Sequence, residues 1–341
     1  MKERDHLKLM LRPLRKVQIF NHLSNVWEEI IRNMWYTNDF KLMKAEKNLL
    51  DFMDIHYQLQ QVEISNNRVI NTFSTGDINL ETAVVFTHGF GAAFGIFYKN
   101  FTHIDNVLAI DWLGMGRSSR SPITSSCPFE IEDYFVDALE EWRVKMKIKS
   151  LILVAHSFGG YLSTLYAIKY PLAVHKLILI SPVGFPEKPK TNFRSTPKWI
   201  ELCWNYNITP QTILRALGPL SKVIVDEMAT ARFKLPPHEL HLLKEYMYYS
   251  NMNKGAGEYS MNPLLMPGAY ARHPLLYRFP SIQCDCHFIY GNSDWMHIEG
   301  AKQSISNHKE PNKHKIHFLD GGHFMFLDNP TAFNTLINQL L

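Results

Sequence analysis

Leu151-Ile-Leu-Val-Ala-His-Ser-Phe-Gly-Gly160 decides how this chain folds. Five apolar residues in a row suit a strand covered on both faces. They run directly into a small-x-Ser-x-Gly turn, and Gly160–Tyr170 follows with helical character up to the breaker Pro171. Strand, sharp turn and helix in that order form a nucleophile elbow, which pushes Ser157 Oγ out of the sheet. Larger side chains than Ala155 and Gly159 would collide around so tight a turn. Ala155 stands where a first glycine is usual, a departure that leaves the steric argument intact.

A serine hydroxyl is a weak nucleophile and needs a base that is itself held by an acid. The expected chain order is Ser, then Asp or Glu, then His, on loops after late strands. Phe288-Ile-Tyr-Gly-Asn-Ser-Asp294 puts Asp294 just past a strand, and Leu319-Asp-Gly-Gly-His323 puts His323 just past the next. The chain holds 16 histidines, so position rather than residue type selects His323. The competing acid, Asp320, lies too near His323 along the chain to be its usual partner. Thr87-His-Gly-Phe-Gly91 ends an earlier strand. The N–H groups of Phe90 and of Phe158, the residue after the nucleophile, are the expected oxyanion donors.

Further strands are expected at Ala83–Thr87, Val107–Asp111, Lys176–Ser181, Cys286–Tyr290 and Lys315–Leu319. Ile131–Met146 reads as a helix, with Tyr134, Ala138, Trp142 and Met146 spaced by four. The alternation predicts an α/β fold with a mostly parallel central sheet flanked by helices. Residues 186–280 break the rhythm with Pro, Tyr, Met and Trp and with helices at Thr209–Leu217 and Pro237–Tyr249, and are read as a helical lid insertion. The division is a leader over 1–50, core over 51–185, lid over 186–280 and core again over 281–341. Trp199, Trp204, Tyr246, Tyr248, Tyr249, Met261 and Met266 are expected to wall an acyl-chain pocket.

With 341 residues, 46% of them hydrophobic, the chain is not disordered. Its net charge of +4 excludes a general nucleic-acid binder. Residues 1–20 hold six bases and two acids, so that excess sits in the leader. There Leu14, Val17, Phe20, Leu23, Trp27, Ile31 and Trp35 recur at helical spacing, which fits either a helix packed on its own domain or one lying on a membrane surface. Glu3, Asp5, Glu28 and Glu29 weigh against a mitochondrial transit peptide. The absence of an apolar signal core predicts an intracellular, non-secreted protein. Four cysteines are too few for a disulfide scaffold, and Cys284-Asp-Cys286 matches no common zinc spacing, so no metal or other cofactor is expected.

Asp111-Trp-Leu-Gly-Met-Gly-Arg-Ser-Ser119 lacks the Lys-Ser/Thr ending of a phosphate loop and reads as a structural loop below the elbow. His323-Phe-Met-Phe-Leu-Asp328 fits H-x4-D, in which Asp328 either serves acyl transfer or steadies the loop or the last helix.

Taken with His88-Gly-Phe-Gly91, Glu140-Glu-Trp-Arg143, Ser181-Pro-Val-Gly-Phe-Pro-Glu187 and Gly322-His-Phe-Met-Phe-Leu-Asp-Asn-Pro330, these motifs resemble the α/β-hydrolase-fold serine hydrolases. The likeness is strongest to the α/β-hydrolase-domain four/five subfamily, and Trp112 and Asp294-Trp-Met resemble its fungal cardiolipin-deacylase-like members. It implies a phospholipase-type acyl-ester hydrolase on a lipid substrate. Lysophospholipid acyltransferase activity through His323 and Asp328, or a non-catalytic lipase co-activator, are the alternatives. It also implies peripheral association with a membrane or lipid-droplet surface, mitochondria included. His297 stands where animal members carry an acid, so no acid role transfers to that position.

Overall fold

The computed structural model describes residues 39–189 and 197–341. Eight strands form one sheet: β1 (Gln58–Ile64), β2 (Arg68–Ser74), β3 (Thr82–Thr87), β4 (Val107–Ile110), β5 (Ser150–His156), β6 (Val174–Ile180), β9 (Asp285–Gly291) and β10 (His314–Leu319). Their order across the sheet is β1-β2-β4-β3-β5-β6-β9-β10. The β1–β2 and β2–β4 pairs are antiparallel and the other pairs parallel. A two-strand hairpin, β7 (Leu265–Met266) with β8 (Tyr270–Ala271), lies apart from the sheet, within residues 186–280.

β5 sits in the middle of the sheet and shows why continuous apolar runs become central strands. Side chains alternate along a strand, so Leu151, Leu153 and Ala155 enter the core on one face. Ile152 and Val154 enter the core on the other. α2 (Pro128–Lys145) and α3 (Phe158–Lys169) pack on the first face. α2 begins with Pro at its first turn, where the missing N–H is no loss, and carries Glu130 near its start and Arg143 and Lys145 near its end, complementing the helix dipole. Ala138 and Trp142 of the predicted stripe are buried, and the Trp142 indole N–H donates to Thr72 Oγ1 at 2.9 Å.

β1 and β2 were not among the expected strands. β1 reads Gln-Leu-Gln-Gln-Val-Glu-Ile, with its polar residues exposed, Leu59 and Val62 half-buried and only Ile64 buried, so no apolar run marks it. The amphipathic pattern of residues 14–35 lies outside the described residues. Residues 39–50, assigned to the leader, belong to α1 (Asp39–Asp51), whose Leu42, Leu49 and Leu50 are fully buried in the second core.

The lid carries α4 (Lys198–Asn205), α5 (Pro210–Leu217), α6 (Leu220–Arg232) and α7 (Pro237–Met252). Thr209 Oγ1 caps α5 by accepting the Thr212 N–H. Tyr246 is buried, its hydroxyl oxygen accepting the Gly95 N–H, and Trp204 donates to the Leu265 carbonyl. Trp199 does not wall an interior: it is 65% exposed, because α4 has no fully buried residue. α8 (Glu299–Ser306) and α9 (Pro330–Leu340) complete the chain, with the Asn329 side chain capping α9.

All four cysteines are free thiols. Burial pushes the Cys284 thiol up to about 12 and that of Cys286 well above its ordinary value, so both stay protonated. Among the described residues no group of three or more His, Cys, Asp or Glu is arranged to hold a metal.

Candidate active site

β5 delivers Ser157 at φ 54°, ψ −114°, a left-handed backbone that is unfavourable for any residue but glycine. The turn needs the small neighbours that the sequence supplies. A Cβ on Gly159 would lie 2.5 Å from the His88 carbonyl oxygen, and one on Gly89 would lie 2.9 Å from Ser157 Cβ. The elbow therefore packs against the His88–Gly91 loop with no room to spare.

The three residues chosen from the sequence come together although 137 and 29 residues separate them. His323 Nε2 is 3.1 Å from Ser157 Oγ, and His323 Nδ1 is 3.2 Å from Asp294 Oδ1. Asp294 Oδ1 also accepts the Met296 N–H at 3.0 Å, and Oδ2 accepts the Ser181 hydroxyl. Burial pushes the Asp294 carboxyl up, but the bonds from His323, Ser181 and Met296 outweigh it and hold the group below its ordinary value. The Asp294 side chain is only 2% exposed. Asp320 is not a competitor, since it accepts the Asn292 amide instead.

Phe158 is the first residue of α3, and the N–H of a first-turn residue has no partner within its own helix. Phe90 follows Gly89, the residue pressed against Ser157. Phe158 adjoins Ser157 in the chain, and Phe90 adjoins the glycine packed against it. His88 fixes the loop that carries Phe90: its Nε2 accepts the Trp112 N–H at 3.1 Å, so Nδ1 carries the proton and donates to the Gly89 carbonyl at 2.8 Å. Burial pushes the His88 imidazole down, which keeps it neutral and keeps that tautomer.

Three supporting residues have no signal in the sequence. Ser181 reaches Asp294 from the end of β6. His156 Nε2 is 2.9 Å from the His323 carbonyl, and its ring lies 4.7 Å from that of His323. Burial and the neighbouring His323 push the His156 imidazole well down, so it steadies the His323 loop as a neutral ring. Arg232 of α6 pairs with Asp328 through two bonds of 2.9 Å, stacked over Phe233 and Phe324. Asp328 also accepts the Gly322 N–H at 2.9 Å, while the α9 cap is Asn329. The acid of H-x4-D is therefore engaged with the lid and with the backbone before His323.

The Asp111–Ser119 loop is held from within by Asp111. Asp111 is fully buried and accepts the Asn71 amide at 2.9 Å and the N–H groups of Phe94 (2.8 Å) and Arg117 (2.9 Å). Glu46 of α1 shares Arg117 and Asn71 with it.

The profile of the alpha/beta hydrolase fold family matches residues 82–330. The chain is an alpha/beta hydrolase. The 1-acylglycerol-3-phosphate O-acyltransferase of Arabidopsis thaliana is 34% identical to it, over 92% of this chain and 82% of that protein. The (lyso)-N-acylphosphatidylethanolamine lipase of Homo sapiens is 29% identical, over 89% and 92%. With these relatives, this hydrolase belongs to the four/five subfamily that its motifs resemble. A crystal structure of a bacterial membrane phospholipase A superposes with a TM-score of 0.64 at 18% identity, covering 99% of this chain and 97% of that one, which shows the shared fold.

Proposed function

We propose that this alpha/beta hydrolase opens acyl esters of glycerolipids through Ser157, His323 and Asp294. The observation that carries the reading is the continuous pair of contacts, 3.1 and 3.2 Å, from hydroxyl to imidazole to carboxylate. Ser157 Oγ attacks the ester carbonyl carbon as His323 Nε2 takes the hydroxyl proton. Asp294, held ionised, faces the imidazolium that forms. The N–H groups of Phe90 and Phe158 hold the oxyanion. His323 then protonates the leaving glycerol oxygen as the acyl–oxygen bond breaks, and the acyl group stays on Ser157. Water, deprotonated by His323, attacks that ester and releases the fatty acid.

Acyl transfer uses the same intermediate with a lysophospholipid hydroxyl in place of water, and the name of the Arabidopsis relative favours it as a second reading. In either case Asp328 acts through the loop it holds, because both its oxygens are engaged by Arg232 and Gly322.

A lipid surface fits the outer face of the lid, where Trp199, Leu202, Leu220, Val223 and Met228 are all more than half exposed, as is Trp295 beside the triad. Among the described residues no helix is long and apolar enough to cross a membrane. The basic, amphipathic leader would add attraction to anionic headgroups. These two features support association with a membrane or lipid-droplet surface, and loss of liposome binding on deleting residues 1–35 tests the leader's share.

The deciding experiment is fluorophosphonate labelling of purified protein together with lipid profiling, wild type against Ser157→Ala. The expected result is labelling and lipid turnover in wild type alone. Labelling that persists in Ser157→Ala, or identical lipid profiles, would overturn the proposal.

A further inference from the structure

Asp294-Trp-Met296 joins the triad acid to a residue that the chemistry described so far leaves unused. The backbone on either side of Trp295 is fixed. The Asp294 N–H donates to the Gly291 carbonyl at 3.0 Å, the Met296 N–H donates to Asp294 Oδ1 at 3.0 Å, and the Met296 side chain is buried. Trp295, between them, holds its ring 5.2 Å from that of His323, the two planes tilted by 45°. Yet the residue is 57% exposed. A large apolar side chain left mostly in water gains little from burial, so packing alone does not account for an indole at this position.

Two further rings contact the same imidazole, that of His156 at 4.7 Å and that of Phe324 at 5.4 Å. The charged and titratable groups around His323 are Asp294 at its Nδ1, the neutral His156 from β5 and, beyond Phe324, the Arg232–Asp328 pair. When His323 Nε2 takes the Ser157 proton, a positive charge appears on a ring walled by one carboxylate and three aromatic rings. A cation within about 6 Å of an aromatic centroid is attracted by the ring's quadrupole, most strongly by indole. The neutral imidazole feels no comparable attraction. The contact therefore favours the protonated ring, and with it the transition state over the free enzyme. Of the three rings Trp295 is the most exposed, so it can be changed without opening the core.

We propose that Trp295 is a further catalytic residue, whose indole stabilises the imidazolium that forms on His323 as Ser157 attacks. This role rests on the ester chemistry proposed at Ser157 and adds no step to it: the proton still moves from Ser157 Oγ to His323 Nε2 and on to the leaving oxygen.

The test uses the purified full chain as wild type, Trp295→Phe, Trp295→Leu, Ser157→Ala and His323→Gln. Leucine keeps an apolar cover beside the imidazole and removes the aromatic face, whereas phenylalanine keeps a weaker face. On p-nitrophenyl butyrate, a soluble ester that needs no lipid surface, kcat should fall about fivefold in Trp295→Leu and about twofold in Trp295→Phe, with KM unchanged. Losing a group that favours the imidazolium should also move the acid limb of kcat/KM in Trp295→Leu to lower pH, by about half a unit. An unchanged kcat and acid limb, with liposome binding weakened, would make Trp295 a surface anchor only and overturn the proposal. Fluorescence reads the contact without turnover, because a protonated imidazole quenches a neighbouring indole. Emission of wild type and Ser157→Ala should dim as pH falls through the histidine range, and that dimming should be lost from both Trp295→Phe and His323→Gln. Dimming that is unchanged in either variant would also overturn the proposal. Absence of Ser157-dependent turnover would remove the ester chemistry and this role with it, whereas the other failures leave that chemistry standing.

Discussion

Two of the carboxylic acids whose side chains lie almost completely out of water, Asp294 and Glu46, are driven in opposite directions. Asp294, at the end of β9, is held below its ordinary value; Glu46, on α1 beneath the Asp111 loop, is pushed up to about 8. Burial raises both. Asp294 receives three donors, from His323, Ser181 and the Met296 amide, and they prevail. Glu46 has burial and the nearby Asp111 carboxylate against it, and the Arg117 guanidinium and Asn71 amide do not offset them. Depth alone does not decide ionisation. What decides it is whether the donors around a carboxyl are its own or shared with a second carboxylate. One region thereby keeps a charge facing an imidazole, and the other keeps a proton under a helix.

The sharpest way to break the contrast is Asp294→Asn, which keeps shape but removes the charge and the tautomer preference. Turnover should fall by about 10^3–10^4, read as kcat on a lysolipid ester; a loss below tenfold would mean that another acid serves His323. Glu46→Gln examines the other side. Because the folded pKa of Glu46 lies above the unfolded value, its stabilising contribution is full below pH 4.5 and is lost as pH rises through about 8. Wild type should therefore lose on the order of 1–3 kcal/mol between pH 5 and 9 that the Gln variant does not lose. Denaturant melts at the two pH values check this, and parallel pH curves would refute it.

Ser181→Ala removes one of the Asp294 donors and should reduce kcat about tenfold, or about 1.4 kcal/mol, near the typical worth of a bond to a charged group. Here the sign reverses. A lowered carboxyl stabilises the fold above its ordinary value, so the stability gap between wild type and Ser181→Ala should be full above pH 3.8 and close below it. The smallest effect is expected from Asp328→Asn. It loosens the Arg232 contact and the Gly322 anchor, so hydrolysis should fall less than tenfold, and transfer from acyl-CoA should fall in proportion. Selective loss of transfer would give Asp328 a chemical role instead.

The Asp294 side of this contrast was legible in the sequence and the Glu46 side was not. Ser157, Asp294 and His323 each lie just past the carboxyl end of a parallel strand, so strand ends alone placed them on one side of the sheet, although β10 reads His-Lys-Ile-His-Phe-Leu and is not an apolar run. Nothing in the sequence singles out Glu46, and only the packing of α1 on the core buries it. Arg232 and Asp328 lie 96 residues apart on lid and core, and local patterning does not encode such pairs. β1 escaped because half its side chains face water. Trp199 misled because an aromatic residue in a lid serves an inner wall and an outer surface equally well.

Ser157 itself occupies a backbone conformation with positive φ that costs a side-chain-bearing residue roughly 1–3 kcal/mol. Glycine would relieve it, so Ser157→Gly should melt higher than Ser157→Ala while being just as inert. Stability and activity therefore select different residues at this position. On the chemistry proposed for Ser157, a chain released from it would be free to drift toward whatever side chain relaxes the turn.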